Sequence, residues 1–289
     1  MSKSDTTWSR RTFLARSAQA AAAAALTARY RPLLAASGKR WFKIGACAWL
    51  LAKPSPACLD IAKQIGLDGV QLLMDPDVRK PEVQRAYREA ARRTGMEISS
   101  LSIGELCQVP LKSDDPRAPQ ILSESLDVCK ALGLKIAMPA FFGRGELDMN
   151  NHAEIDRVVR SLKEAAVGAE KEGILIALEN YLSAEDNLRL IERVGSPSLR
   201  VYYDVGNSTD KGRNVYQEIR RLGNMICEFH AKDGPALLGQ GRIDFKKVRQ
   251  AIDDIGYNGW IHLEAAHPNG VLVDYAAQGK FLRAIFPER

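Results

Sequence analysis

Several familiar designs are missing from this chain. Its five cysteines (Cys47, Cys58, Cys107, Cys129, Cys227) are odd in number, with no Cys-x-x-Cys pair and no zinc-finger spacing. That excludes a disulfide-stapled miniature fold and leaves buried, free thiols as the expectation. No Gly-x-Gly-x-x-Gly turn follows the first strand-like segment, which argues against an open dinucleotide-binding sheet. No apolar run approaches the ~20 residues that cross a bilayer, so no stable membrane span is expected. No linker or shift in composition divides the chain into two domains.

Positive charge is also scarcer than it first looks. The net charge is +6, but the first 36 residues hold six basic residues (Lys3, Arg10, Arg11, Arg16, Arg29, Arg31) against one acidic residue, Asp5. Five of the six net charges belong to that segment, and about one remains for the rest. Nothing is left to draw the protein toward nucleic acid. The segment reads Ser9-Arg10-Arg11-Thr12-Phe13-Leu14 and then an alanine-rich stretch to Leu26. It resembles the twin-arginine export signal of bacteria. The expectation is a signal over 1–36, cleaved after Ala28 or near Ala35-Ala36, followed by one catalytic domain over 40–289. That resemblance implies a periplasmic protein that engages the twin-arginine machinery, whose substrates are typically folded before export.

From Lys43 onward, strand and helix patterns alternate. Strands are expected at 43–49, 69–74, 97–103, 135–141, 174–179, 200–204, 225–230 and 260–264. Helices are expected between and after them, with glycines 66, 95, 133 and 173 as C-terminal stops. His152, at a helix start, is expected to cap it. Eight strand–helix units in about 245 residues match an α/β single (β/α)8 TIM barrel.

In such a barrel, active-site groups project from the C-terminal ends of strands. Four consecutive strand-like segments end in Glu179, Asp204, His230 and Glu264. Strand alternation turns Tyr202, Glu228, His262 and Trp260 inward as well. Three carboxylates facing one another would be costly unless a cation neutralised them. Oxygen and nitrogen ligands together suit one divalent ion: Mn²⁺, Mg²⁺, Co²⁺ or Zn²⁺.

The segments Leu178-Glu179-Asn180, Asp204-Val205-Gly206-Asn207, His230-Ala231-Lys232-Asp233 and Leu263-Glu264 resemble those of the xylose isomerase-like TIM barrels. This is the sugar phosphate isomerase/epimerase superfamily, which includes inosose dehydratase and endonuclease IV. Gly239-Gln240-Gly241-Arg242-Ile243-Asp244-Phe245 and Gly256-Tyr257-Asn258-Gly259-Trp260 are in the same style. The resemblance implies that Glu179, Asp204, His230 and Glu264 hold the metal, with Glu179 and Glu264 as the catalytic acid–base pair. The implied enzyme is a metal-dependent isomerase or epimerase that removes a proton beside a carbonyl through an enediolate. Asn207 stands where the epimerases often carry a histidine, and His-x-Lys-Asp leans toward the inosose dehydratase branch. A keto-sugar or inosose-type dehydratase (lyase) using the same Glu pair and metal is therefore the alternative. A carbohydrate-binding barrel without turnover is a third reading. With only four histidines, the three-metal cluster of endonuclease IV is not expected.

Further residues are expected near the substrate. Asn207 can bond a sugar hydroxyl. Lys232 and Arg242 follow strand seven, where barrels often bind anions. Trp49 would close strand one and stack on a sugar face, and Glu105 lies just past strand three. Glu228 and His262 would lie beneath the metal ring and pair with each other. The expected ligand is an unphosphorylated sugar or keto-sugar, and self-association as a homo-oligomer is left open.

Overall fold

The computed structural model describes residues 42–51 and 55–287. The twin-arginine-like segment lies outside the described residues. Eight strands form a closed parallel barrel in sequence order: β1 (Lys43–Cys47), β2 (Gly69–Leu73), β3 (Glu97–Ile103), β4 (Ile136–Phe141), β5 (Leu175–Asn180), β6 (Leu199–Asp204), β7 (Ile226–Ala231) and β8 (Trp260–Leu263). β8 closes onto β1, with Gly45 opposite His262.

The helices are α1 (Ala48–Leu51), α2 (Cys58–Ile65), α3 (Pro81–Thr94), α4 (Arg117–Leu132), α5 (His152–Glu172), α6 (Ala184–Val194), α7 (Val205–Asp210), α8 (Val215–Leu222), α9 (Phe245–Asp254) and α10 (Val271–Ile285). Among the described residues, no helix is long and apolar enough to cross a membrane. The four expected glycine stops all sit at helix C-caps in the left-handed region.

Strand alternation sorts the side chains into two layers. Ile44, Val70, Leu72, Leu101, Ile176, Val201, Phe229 and Ile261 point outward into one large apolar core beneath the helices. The inward positions are different. A small apolar group of Met138, Ala140, Leu175, Ala177, Tyr202 and Cys227 shares the barrel interior with polar side chains. Buried Gln71, Ser100, Glu228, His230 and His262 therefore need partners inside the barrel, because unpaired buried polar groups are expensive.

Two local expectations are corrected. β1 stops at Cys47, and Trp49 lies on the single turn α1, because the chain turns helical as soon as it leaves the sheet. The cap of α5 is Asn151, whose side chain accepts from Glu154 N, while His152 is the first helical residue. The segment after Asp204 is the short helix α7. There the Asp204 carboxylate serves as the N-cap and satisfies a backbone donor that the helix start leaves open.

Candidate metal centre

Four strand ends bring the site together. Glu179 lies near the end of β5, Asp204 closes β6, His230 is penultimate in β7, and Glu264 directly follows β8. Asp204 is in register with His230. Glu264 N donates to Ala231 O at 3.1 Å, which sets that glutamate beside the end of β7. One ligand atom from each residue lies within 4.8 Å of all the others. His230 Nδ1 is 2.7 Å from Glu179 Oε1, 3.6 Å from Glu264 Oε2 and 3.9 Å from Asp204 Oδ2. Glu179, Asp204 and His230 are buried, and Glu264 faces the mouth with 20% of its side chain exposed.

The donor set fits a divalent cation. Asp204 Oδ1 accepts from Asn207 N at 2.9 Å, whereas Oδ2 is buried and turned into the ring, where its nearest neighbour is the Lys232 ammonium at 2.9 Å. One oxygen is thus committed to the backbone, and the other is presented to the ring, where a cation already sits beside it. Three carboxylates and one imidazole are hard to borderline ligands suited to such an ion. Burial pushes the Asp204 carboxyl up to about 6, although the Lys232 ammonium pulls the other way. Burial opposes charge on His230. Contact with the Cys47 sulfur and with the Glu179 and Glu264 carboxylates reverses that and raises its pKa well above the usual value. The carboxylates are the physical agents, because burial raises the Cys47 thiol to about 12 and keeps it neutral.

Behind the ring, Gln71 fixes the histidine. Its Oε1 is 2.7 Å from His230 Nε2, and its amide nitrogen points to Met138 Sδ at 3.3 Å. With Nε2–H donating to Gln71, Nδ1 is the nitrogen turned toward the three carboxylates. Cys47 Sγ lies 3.4 Å from the same Nε2, and the Tyr202 ring leans on the imidazole at 4.3 Å between centroids. Sequence reasoning passed over Gln71. Its signal was a lone amide in the apolar strand Gly69–Leu73, which had to find a partner inside the barrel.

Lys232 is also part of the ring. Its Nζ is 2.9 Å from Asp204 Oδ2 and 2.8 Å from Glu264 Oε2. It stands two residues beyond His230 and points the same way, so it faces the carboxylates rather than an anion pocket in the loop after β7. Burial works against its charge, but Asp204 and Glu264 more than compensate and hold its pKa far above the lysine norm.

Glu228 and His262 do lie beneath the ring, but they do not hydrogen-bond each other. The nearest approach, Glu228 Oε2 to His262 Nδ1, is 3.9 Å. Ser100 Oγ donates to Glu228 Oε2 at 2.6 Å. His262 meets Tyr202 Oη at Nδ1 and Ser99 Oγ at Nε2, both at 2.8 Å. Burial, and then the charge on His230, hold His262 well below its usual pKa, so the ring is neutral. A neutral ring donates from one nitrogen and accepts at the other, and two hydroxyls can serve both. Burial raises Glu228 to about 7, against the Ser100 hydrogen bond. Trp260 stacks on His262 at 5.3 Å and 14°.

The remaining sequence candidates are spread over the mouth. Trp49 is half-buried on α1, with its ring edge-on to His230 at 6.4 Å between centroids. Asn207 is buried and contributes its backbone N–H to Asp204. The Arg242 guanidinium is 63% exposed and pairs with Asp210, so it stays at the surface. Its backbone N–H is tied to buried Asp233, which accepts at 2.8 Å. Glu105 pairs with Arg79 at 2.6 Å, and Arg79 also pairs with Glu124, so this carboxylate braces the surface. Tyr181, unread in the sequence, packs on Phe142 at 4.7 Å beside the β5 ligand.

Residues 59–285 match the family described as xylose isomerase-like TIM barrel. Among curated relatives, the chain is 26% identical over 228 residues to 2-epi-5-epi-valiolone 7-phosphate 2-epimerase of an Actinoplanes species, covering 73% of this chain and 82% of that one. It is 24% identical over 234 residues to L-ribulose-5-phosphate 3-epimerase UlaE of Escherichia coli, covering 72% and 82%. In fold it is similar to D-psicose 3-epimerase of Clostridium cellulolyticum H10, solved with D-tagatose. There the TM-score is 0.74 at 18% identity, covering 85% of this chain and 99% of that one. It is also similar to the 3-keto-D-glucoside 4-epimerase of E. coli, with a TM-score of 0.71 at 14% identity and 84% and 99% coverage.

Proposed function

The chain belongs to the xylose isomerase-like TIM barrel family, and from that premise we propose that it is a divalent-metal-dependent sugar isomerase or epimerase. One observation carries the reading: two glutamates from β5 and β8, Glu179 and Glu264, flank a single cluster that Asp204 and His230 complete within 4.8 Å. Inverting a carbon beside a carbonyl, or moving the carbonyl, requires removal of a weakly acidic C–H proton and return of a proton. Glu179 and Glu264 are the pair that takes and returns it. A divalent ion held by the four residues would supply Lewis acidity to the substrate carbonyl and its neighbouring hydroxyl. His230 stays oriented by Gln71, and Tyr202 and Trp49 close apolar faces over the ring.

The substrate we propose is an unphosphorylated sugar. The cationic side chain read as an anion binder after β7, Lys232, is spent on Asp204 and Glu264, and Arg242 is spent on Asp210. The Arg10-Arg11 motif supports export to the periplasm. Changing both arginines to lysine and fractionating cells tests that: retention of the variant in the cytoplasm is expected, and unchanged export refutes it.

The activity is tested by incubating free ketohexoses and ketopentoses with the Mn²⁺-treated protein in D₂O and reading deuterium at the carbon beside the carbonyl by mass spectrometry and NMR. Deuterium uptake with an isomeric product, lost in both Glu179→Gln and Glu264→Gln, is expected. Uptake with loss of water marks a lyase instead, and no exchange on any sugar refutes turnover chemistry at this site.

A further inference from the structure

A lysine ammonium within hydrogen-bond distance of two carboxylates of a cation site is an unusual neighbour for a cation. The fold makes deliberate room for it. Gly206, on the first turn of α7, has no side chain, and a Cβ there would overlap Lys232 Cγ. The lysine stem therefore crosses the start of α7 through a slot that only glycine leaves open. The same turn supplies the Asn207 N–H that holds Asp204 Oδ1, so one helix start positions both the ligand and its cationic neighbour. Only 22% of the Lys232 side chain is exposed, so its position is set by packing as well as by charge.

The charges sum in an informative way. Glu179, Asp204 and Glu264 carry three negative charges when ionised. A divalent ion leaves one of them uncompensated, and Lys232 cancels that last charge. A neutral loaded site suits an uncharged sugar. Two cations sharing the same carboxylates also repel each other, so the lysine must weaken the hold on the metal.

We infer that Lys232 is a built-in counter-ion of the metal centre: it holds Asp204 and Glu264 in place before metal arrives and limits how tightly a divalent ion then binds. This rests on the reading of the four residues as a metal site. Lys232 acts through Asp204 and Glu264, and is a positioning residue in that sense. Paired with two carboxylates, its nitrogen carries its proton and is no Schiff-base nucleophile.

The test is Mn²⁺ titration of metal-stripped protein by calorimetry, with thermal melts of the stripped and loaded forms. Lys232→Met is expected to lower the Mn²⁺ dissociation constant by about tenfold or more, the direction Coulomb repulsion dictates. The same variant is expected to melt earlier than wild type when stripped, yet at least as late when loaded. A lysine that merely packs would lower both melts together. Lys232→Arg keeps the charge and is expected to bind Mn²⁺ close to wild type. Gly206→Ala closes the slot for the stem and is expected to shift Mn²⁺ affinity in the same direction as Lys232→Met. Wild-type binding with unchanged or weaker binding in Lys232→Met overturns this inference alone. A wild-type protein that takes up no Mn²⁺ overturns both the functional reading and the inference.

Discussion

Replacing Gln71 with leucine removes the one amide that orients His230 while nearly preserving volume. Gln71 is wholly buried, and its Oε1 lies 2.7 Å from His230 Nε2. Leucine leaves that buried N–H without a carbonyl partner, which costs about 1–3 kcal/mol of stability. The second effect falls on metal affinity. The imidazole is free to present either nitrogen, and losing a partner of this type typically weakens metal binding about 10–100-fold, or roughly 1.4–2.8 kcal/mol. The two effects separate in one experiment. Urea melts of the stripped protein report the first, and Mn²⁺ calorimetry reports the second. Gln71→Glu keeps an oxygen acceptor for Nε2–H and should retain metal affinity. If Gln71→Leu binds Mn²⁺ as wild type does, His230 is oriented by Tyr202 and packing alone, and the argument for Nδ1 selection by Gln71 fails.

Glu228 gives a pH prediction. Burial raises its pKa from 4.5 to about 7, so between those values the native state binds a proton that the unfolded chain does not. Stability should fall as pH rises through that window and level off above it, by an amount on the order of 3 kcal/mol. Glu228→Gln should flatten that fall in urea melts of stripped protein at pH 5 and pH 8, and parallel wild-type and variant profiles would refute it. All five cysteines are free, and only Cys107 is partly exposed. Native alkylation at pH 8 should therefore mark at most Cys107, with five thiols after denaturation, and rapid labelling of Cys47 would contradict its burial. Gly69→Ala should cost about 3 kcal/mol, because a Cβ there would overlap the Glu97 carbonyl oxygen and crowd Trp260. Unchanged melting would show that the β2–β3 contact yields without strain.

The fold was legible because a parallel barrel writes the same unit eight times. An apolar run, a helix of matching length and a glycine stop recur, and errors at the edges do not alter the count. The ring was legible for a related reason. Alternation along a strand and the shared polarity of eight parallel strands suffice to bring Glu179, Asp204, His230 and Glu264 to one end and one side. Residues just beyond the strands were harder to place. Trp49, Asn207 and Glu105 lie on short helices and Arg242 in a loop, and the direction of each depends on tertiary contacts, such as the tie from Asp233 to the Arg242 backbone. Arg242 illustrates the point: its position after strand seven suggested an anion site, but the loop is pinned so that the guanidinium meets Asp210.

Lys232 and Gln71 show the deeper reason for the gap. Strand periodicity assigns a side chain to a face, yet their roles come from pairs on different strands and depend on distances of 2.7–2.9 Å. Gln71 on β2 reaches His230 on β7 across the barrel interior, and Lys232 just beyond β7 reaches carboxylates at the ends of β6 and β8. Both act on the same cluster with opposite sign: the amide favours metal by turning Nδ1 inward, and the ammonium opposes it by charge. Their variants should therefore move Mn²⁺ affinity in opposite directions. Removing both together tests whether the effects are independent, since Gln71 touches His230 whereas Lys232 touches Asp204 and Glu264. Changes that add would mean that the imidazole and the carboxylates respond separately. A clear departure from additivity would mean that His230 and the Lys232 pair shift as one unit, which their separation by a single residue on β7 makes physically plausible.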